Sequence, residues 1–174
     1  MDGIYGPGKN YMLDGLVKEL HAGRIKFSIG DPNTTLDNSF IDNLVLGHIL
    51  AAEALVEGNA ACGKAYFITD DQPRNNWEFM RCFIEGLGYQ YPKRAISVAL
   101  LRKIAVVWQW LHFTCGFSEP LITPLEVEKS GITHFANIKD AERDLGYSPI
   151  YTVEEAVQLT LPYYKKLLDE WNNA

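Results

Sequence analysis

Gly3-Ile4-Tyr5-Gly6-Pro7-Gly8 is the stretch whose reading decides the fold. Ile4 and Tyr5 read as the end of a strand. Gly6 and Gly8 give the backbone freedom on either side of Pro7, whose φ is fixed. The chain must therefore leave that strand through a tight loop that other groups can approach closely. In an open α/β sheet, ligands lie just outside the carboxyl ends of the strands. A Gly-Pro-Gly loop there serves as the lip of a ligand site or as an ordinary turn, and the loop alone does not choose between them.

Outward from the loop, residues 11–22 predict a helix, with Leu13, Leu16, Val17 and Leu20 at helical spacing and Gly23 beyond its end. Residues 24–30 alternate Ile25, Phe27 and Ile29 with polar neighbours and predict a strand, turned by Asp31-Pro32-Asn33. Asp42 is placed to cap a helix over 43–56, whose buried stripe would be Leu44, Val45, Ile49, Ala52 and Leu55. His48, within it, reads as a packed, hydrogen-bonded histidine. Residues 65–69 predict a short apolar strand suited to a sheet covered on both faces. The adjacent carboxylates Asp70 and Asp71 end it and read as turn and cap chemistry, because neighbours in a strand or turn point apart.

Asn75 with Glu78 resembles a capping box and opens a helix over 76–87, stopped by Gly86 and Gly88. Thr123-Pro124 starts another helix that Gly131 closes, and 132–136 predict a short strand. Asn137 caps a helix through Leu145, ended by Gly146. Thr152 and Glu155 form a third box-like start for a last helix reaching about Trp171. Its buried face would carry Val153, Val157, Leu161, Tyr164, Leu168 and Trp171, and Pro162 should kink it.

Composition narrows the classes. The 174 residues form one domain, 47% hydrophobic and 22% charged, ordinary for a globular chain. A net charge of −6 excludes a general nucleic-acid surface, which needs clustered Lys and Arg. Cys62, Cys82 and Cys115 show no zinc-ligand spacing, and no metal site is expected; they read as buried thiols of a reducing compartment. Met1-Asp2-Gly3 carries no signal-peptide pattern.

Residues 96–117 depart from the rest. From Ile104 to Ser118 there is no charged Asp, Glu, Lys or Arg, while Trp108, Trp110, Phe113 and Phe117 recur. Arg102 and Lys103 interrupt the run too early for a spanning helix, which needs about 20 apolar residues. Lys93, Arg94, Arg102 and Lys103 stand between Gly86 and Ser118 without one acidic residue. Such a basic-flanked aromatic helix suits an anionic membrane surface, a lid over an apolar ligand, or a core helix with solvated basic residues.

Taken together, these segments resemble a known family. Gly3 to Gly8 is similar to the Ile/Val-Tyr-Gly-Pro-Gly signature of the extended short-chain dehydrogenase/reductases. There it closes the strand after the catalytic helix and runs past the nicotinamide. Gly30-Asp31-Pro32, Asn38 to Val45, Gly47 to Ala51, Tyr66 to Asp71, Gly86 to Tyr89 and Ala141 to Pro149 follow in the same order. They resemble the 3β-hydroxysteroid and sterol dehydrogenase branch, nearest to short-chain dehydrogenase/reductase family 42E. Nearly the whole chain is covered, but only by the C-terminal half of that pattern.

The resemblance implies an α/β chain: a partial NAD(P)-binding Rossmann-like fold, with the last sheet strands and a mostly helical substrate-binding lobe. It implies an NAD(P)-dependent oxidoreductase of CH-OH groups, in steroid biosynthesis. By the same resemblance Ile4, Tyr5 and Gly6 line the nicotinamide side, and Pro7, Gly8 and Phe40 shape the substrate mouth. Arg102, Lys103, Trp108 and Trp110 would form a lid over a sterol-like molecule or a membrane contact. The implied location is intracellular, in the cytoplasm or on the endoplasmic reticulum surface.

The chemistry also needs a glycine-rich strand-to-helix turn for the pyrophosphate and a Tyr-x-x-x-Lys pair on a helix. Neither is found. Tyr5 and Lys9 enclose Gly-Pro-Gly, and Tyr89 and Lys93 enclose Pro92, so neither pair can share a helical face. No catalytic residue is therefore assigned, and the chain alone is expected to bind no NAD(P) and to turn nothing over. The rival reading is a non-catalytic membrane-surface or lipid-binding fragment; pairing with a full-length relative through an exposed strand edge is a third.

Overall fold

A computed structural model describes residues 3–8, 11–29, 31, 33–56, 59, 61–118, 127 and 131–173. Among them the elements are β1 (Ile4–Tyr5), α1 (Tyr11–His21), β2 (Ser28–Ile29), β3 (Ser39–Phe40) and α2 (Ile41–Glu53). Then come α3 (Asn76–Gly86), β4 (Ala95–Ile96), α4 (Val98–Cys115), α5 (Lys139–Leu145) and α6 (Val153–Asn172). The strands form two parallel pairs. β1 lies on β3 with Ile4 opposite Ser39 and Tyr5 opposite Phe40; β2 lies on β4 with Ser28 opposite Ala95. Parallel pairs need long crossovers, which the helices supply. The architecture is thus the expected mixed α/β one, with the strands short and the helices dominant.

The helix ends follow local chemistry. Asn75 accepts from the Trp77 and Glu78 amides at the start of α3, and Ser97 accepts from Leu100 at the start of α4. Thr152 and Glu155 form the full reciprocal box of α6. Gly116 and Gly146 take left-handed conformations, φ 69° and 67°, that close α4 and α5. Helix α6 continues through Pro162, which is exposed.

One core joins β1, β3, α1, α3 and α6. Tyr5, Phe79 and Phe83 meet edge to face, with Tyr5 and Phe79 ring centroids 4.9 Å apart. Leu13 and Val17 of α1 and Val157, Leu161, Tyr164 and Leu168 of α6 complete it. A second, smaller core holds Ala61, Ile138, Ala141, Leu145 and Tyr147 against Leu46, Leu50 and Ala54 of α2. Helix α2 lies tight on the extended segment 65–70: a Cβ placed on Gly47 would sit 2.8 Å from Ile68 Cγ2.

Several expectations are corrected. Asp42 does not cap α2; the helix starts at Ile41, and Asp42 lies in its first turn. The expected buried stripe of α2 faces outward, with Val45 47%, Ile49 50% and Leu55 65% exposed. Its inner face is Asn43, Leu46, Gly47 and Leu50 instead, because segment 65–70 and α5 lie on that side. His48 is hydrogen-bonded, to Leu44 O at 2.8 Å, but exposed. Residues 65–69 make no ladder, being tied by single bonds such as Asp70 N–H to Asn38 O, and 24–30 shortens to β2. In 132–136 the chain makes only a bridge from His134 to Leu36. Asn137 accepts from the Lys139 amide, but α5 begins one residue late for it to be the cap. All three cysteines are exposed rather than buried. The helix expected after Thr123-Pro124 lies outside the described residues.

Candidate functional site

The glycine loop is held by β1 from behind and by α2 from below. Gly6 has φ 151° and Gly8 φ 113°, values that L side chains rarely adopt. A Cβ on Gly6 would also collide with Cγ2 of Ile41, so only glycine lets the loop cross the first turn of α2. Pro7 stands exposed at the tip. The Tyr164 hydroxyl lies 3.1 Å from Gly8 O and 3.0 Å from Asp14 Oδ1, tying the loop to α6 and α1.

Beneath the loop is a buried polar hub centred on Asp70. Its carboxylate accepts from the Tyr5 hydroxyl, the Phe40 amide and the Asn43 side-chain amide, each at 2.8 Å. Asn43 in turn accepts from the Ile150 and Tyr151 amides and donates to Tyr151 O. Burial raises the Asp70 carboxyl above the usual carboxylate range, while the Asn43, Phe40 and Tyr5 bonds pull it down. Burial and the neighbouring Asp70 charge push the Tyr5 phenol far up, and its hydroxyl donates to Asp70. Close by, Asp37 accepts from Thr69 Oγ1 at 2.6 Å and is also raised by burial. The Tyr147 hydroxyl donates to Thr69 O. Asp70 thus does more than end a segment: it fastens β1, β3 and α2 together, while the exposed Asp71 points away.

The residues singled out in the sequence fall into three places. Tyr5 and Phe40 are fully buried and packed on one another, with centroids 5.5 Å apart, so their side chains build the core behind the loop. Ile4, 42% exposed, borders an apolar cavity of about 700 Å³ together with Leu44, Phe67 and Phe135. Through Leu44 that cavity runs on to a second, of about 450 Å³, formed by Ile41, Val45, His48, Ile49 and Ala52 of α2. Arg102, Lys103, Trp108 and Trp110 lie apart from these on α4, where Ala105 is the buried residue. Trp108 donates to Ser118 O, and Trp110 is 60% exposed. Tyr89 and Lys93 sit in non-helical chain, and Lys9 lies outside the described residues.

The hub escaped the sequence reading. Its one visible signal was Asn43, a poor helix residue inside an otherwise apolar helix. For a dinucleotide, the fit is limited: the loop edge at Ile4, Gly6 and Pro7 can border a flat ring. The Gly6-Pro7-Gly8 loop leads from β1 toward α1, and residues 9 and 10 between them lie outside the described residues. Among the described residues no helix is long and apolar enough to cross a membrane.

A glycine loop closing a parallel strand beneath crossover helices defines the class: an α/β chain of the dinucleotide-binding, Rossmann-type architecture. The chain belongs to the 3-beta hydroxysteroid dehydrogenase/isomerase family, whose model matches residues 1–100. It is 44% identical over 167 residues to the 3-beta-hydroxysteroid dehydrogenase of Mycolicibacterium neoaurum, covering 96% of this chain and 46% of that protein. It is 40% identical over 162 residues to short-chain dehydrogenase/reductase family 42E member 1 of Danio rerio, covering 90% of this chain and 41% of that one. In fold it resembles UDP-glucuronic acid 4-epimerase from Bacillus cereus, solved in complex with NAD, with TM-score 0.60 and 17% identity; the match covers 95% of this chain and 43% of the epimerase. The chain therefore spans about half the length of the curated relatives it matches.

Proposed function

We propose that this chain supplies the substrate lobe of an NAD(P)-dependent 3β-hydroxysteroid or sterol dehydrogenase-like oxidoreductase. It contributes the loop beside the nicotinamide and no proton-transfer residues. The observation that carries this is the surface running from Ile4 and Phe67 over Leu44, Val45 and Ile49, which is open although mostly apolar, with Ser39, Thr69, His134, Asn137 and His48 among its lining residues. Such a mostly apolar face is stable only when covered. The part of the relatives' length that this chain does not match would cover it. The cofactor, when bound, supplies hydride chemistry; this chain's part is to hold the Gly6-Pro7-Gly8 backbone fixed beside it through Tyr5, Asp70 and Tyr164.

The test is direct. The purified chain with NAD and a 3β-hydroxysteroid yields no NADH. Joined to the part of the Mycolicibacterium neoaurum relative that it does not match, it does. A chimera that folds and binds NAD but oxidises no 3β-hydroxysteroid overturns the reading.

A second reading is favoured by α4. Trp110, Phe113 and Val107 are 60%, 75% and 56% exposed on a helix that carries Lys103 and is preceded by Lys93 and Arg94. That pattern fits adsorption to an anionic lipid surface, apolar side chains entering the headgroup region. Flotation with phosphatidylserine vesicles tests it; a chain that stays with the protein fraction at low salt rules it out.

A further inference from the structure

A third cavity, of about 630 Å³, lies away from the surface just described, between α1, the β2–β4 pair and the first turn of α3. Helix α1 presents Met12, Gly15 and Leu16 to it, the β2 segment Phe27 and Ile29, and α3 the indole of Trp77. Its size is that of a small-molecule site, and its walls are apolar with few polar groups, as such sites are.

Gly15 is the informative residue. Glycine is a poor choice inside a helix, and here its φ is ordinary, so no turn requires it. Nor does packing: a Cβ built on Gly15 meets no atom within 4 Å. Gly47 and Gly86, by contrast, are needed because Ile68 and Leu161 press on them. Gly15 lines the cavity, and a larger side chain there would stand in open space.

The mouth carries Glu19, Arg24 and Lys26. Glu19 and Arg24 cancel in a forked ion pair, 2.6 Å on each arm. Among the described residues Lys26 has no carboxylate partner, which leaves one positive charge at the entrance.

We infer that this cavity binds an apolar molecule bearing a single anionic group, its body over Gly15 and against Trp77, its charge at Lys26. The ligand class deepens the substrate-lobe reading and rests on it only in expecting apolar molecules; the cavity itself is formed by this chain without a dinucleotide. A steroid sulfate and a fatty acid share this chemistry, and the experiment separates them.

Equilibrium dialysis of the full 174-residue chain, kept soluble as a fusion, is run without NAD against pregnenolone sulfate, pregnenolone, oleate and oleyl alcohol. Saturable binding of one anionic probe, roughly tenfold tighter than its neutral counterpart, is expected. Gly15→Phe should weaken it at least about tenfold with an unchanged or higher melting temperature, because the ring enters empty space. Lys26→Gln should weaken the anionic probe alone and bring it to the level of the neutral one. No saturable binding of any probe, or Gly15→Phe binding as well as the parent, overturns the inference. A chimera active on 3β-hydroxysteroids but indifferent to Gly15→Phe would remove this site and leave the substrate-lobe reading standing. Binding with no turnover in any chimera would do the reverse.

Discussion

The hydroxyl of Tyr5 donates to the carboxylate of Asp70 at 2.8 Å, and both residues are buried although 65 positions separate them. Asp70 stands where the extended segment 65–70 stops, and Tyr5 where the glycine loop starts. The pair therefore fixes the loop from the far side of the core, with Phe40 and Asn43 filling the remaining acceptor sites.

Asp70→Ala leaves the Phe40 amide, the Asn43 amide and the Tyr5 hydroxyl without an acceptor. Each such group costs about 1–3 kcal/mol, so a loss of roughly 3 kcal/mol or more is expected. Tyr5→Phe removes one bond and leaves Asp70 two donors, a loss of about 1 kcal/mol. Urea unfolding of the two variants measures the gap; equal losses would show that Asp70 is not the centre of the network.

Asp37 and Asp70 give the pH dependence its sign. Burial raises both carboxyls, so their contribution is complete below the unfolded carboxylate range and is lost as pH rises through the raised values. Glu19, Glu154 and Glu155 are held low by Arg24, Arg74 and the Thr152 amide, and their contribution disappears only as pH falls below the ordinary range. On acidification from neutral pH toward the ordinary carboxylate range the chain should therefore gain thermal stability, and Asp37→Asn should gain less. Identical pH profiles for parent and variant would contradict the assignment.

Two glycines of equal helical rank should respond oppositely to alanine. At Gly15 the space is open, and the better helix propensity adds about 1 kcal/mol of stability. At Gly47 the new methyl meets three carbons of Ile68 at 2.8–3.0 Å. Overpacking of that kind costs about 1–3 kcal/mol and outweighs the helix gain. Melting temperatures that move in the same direction for both variants would refute the packing account.

On α4, Trp110→Ser and Phe113→Ser should change stability by less than about 0.5 kcal/mol, since both side chains are in solvent. If the helix meets lipid, the same changes should abolish vesicle flotation. Melting curves and flotation on one preparation separate the two effects.

Much of the fold was legible because it is written locally. The Thr152–Glu155 box, Asn75 before α3 and the closing glycine Gly146 act within one helical turn. The inner side of α2 was not legible. Its outward residues Leu44, Val45 and Ile49 are as apolar as a core stripe, and periodicity cannot tell which of two apolar sides the rest of the chain covers. Short strands were overdrawn because alternation in 24–30 and apolarity in 65–69 suit a strand, whereas a ladder needs a neighbour with free backbone groups. The glycine loop was found by its composition, but the hub beneath it joins residues 5, 40, 43 and 70, which only the folded chain brings together.

The outward side of α2 also bears on how long the molecule lasts. Leu44, Val45 and Ile49, left bare, are what chaperones and proteases recognise, so turnover competes with covering. Glutamate at Leu44 and Ile49 should lengthen the half-life of the uncovered chain in a pulse-chase; an unchanged half-life would speak against this. If a partner covers α2, the amount of this polypeptide that accumulates in a cell would rise with the supply of that partner as well as with its rate of synthesis.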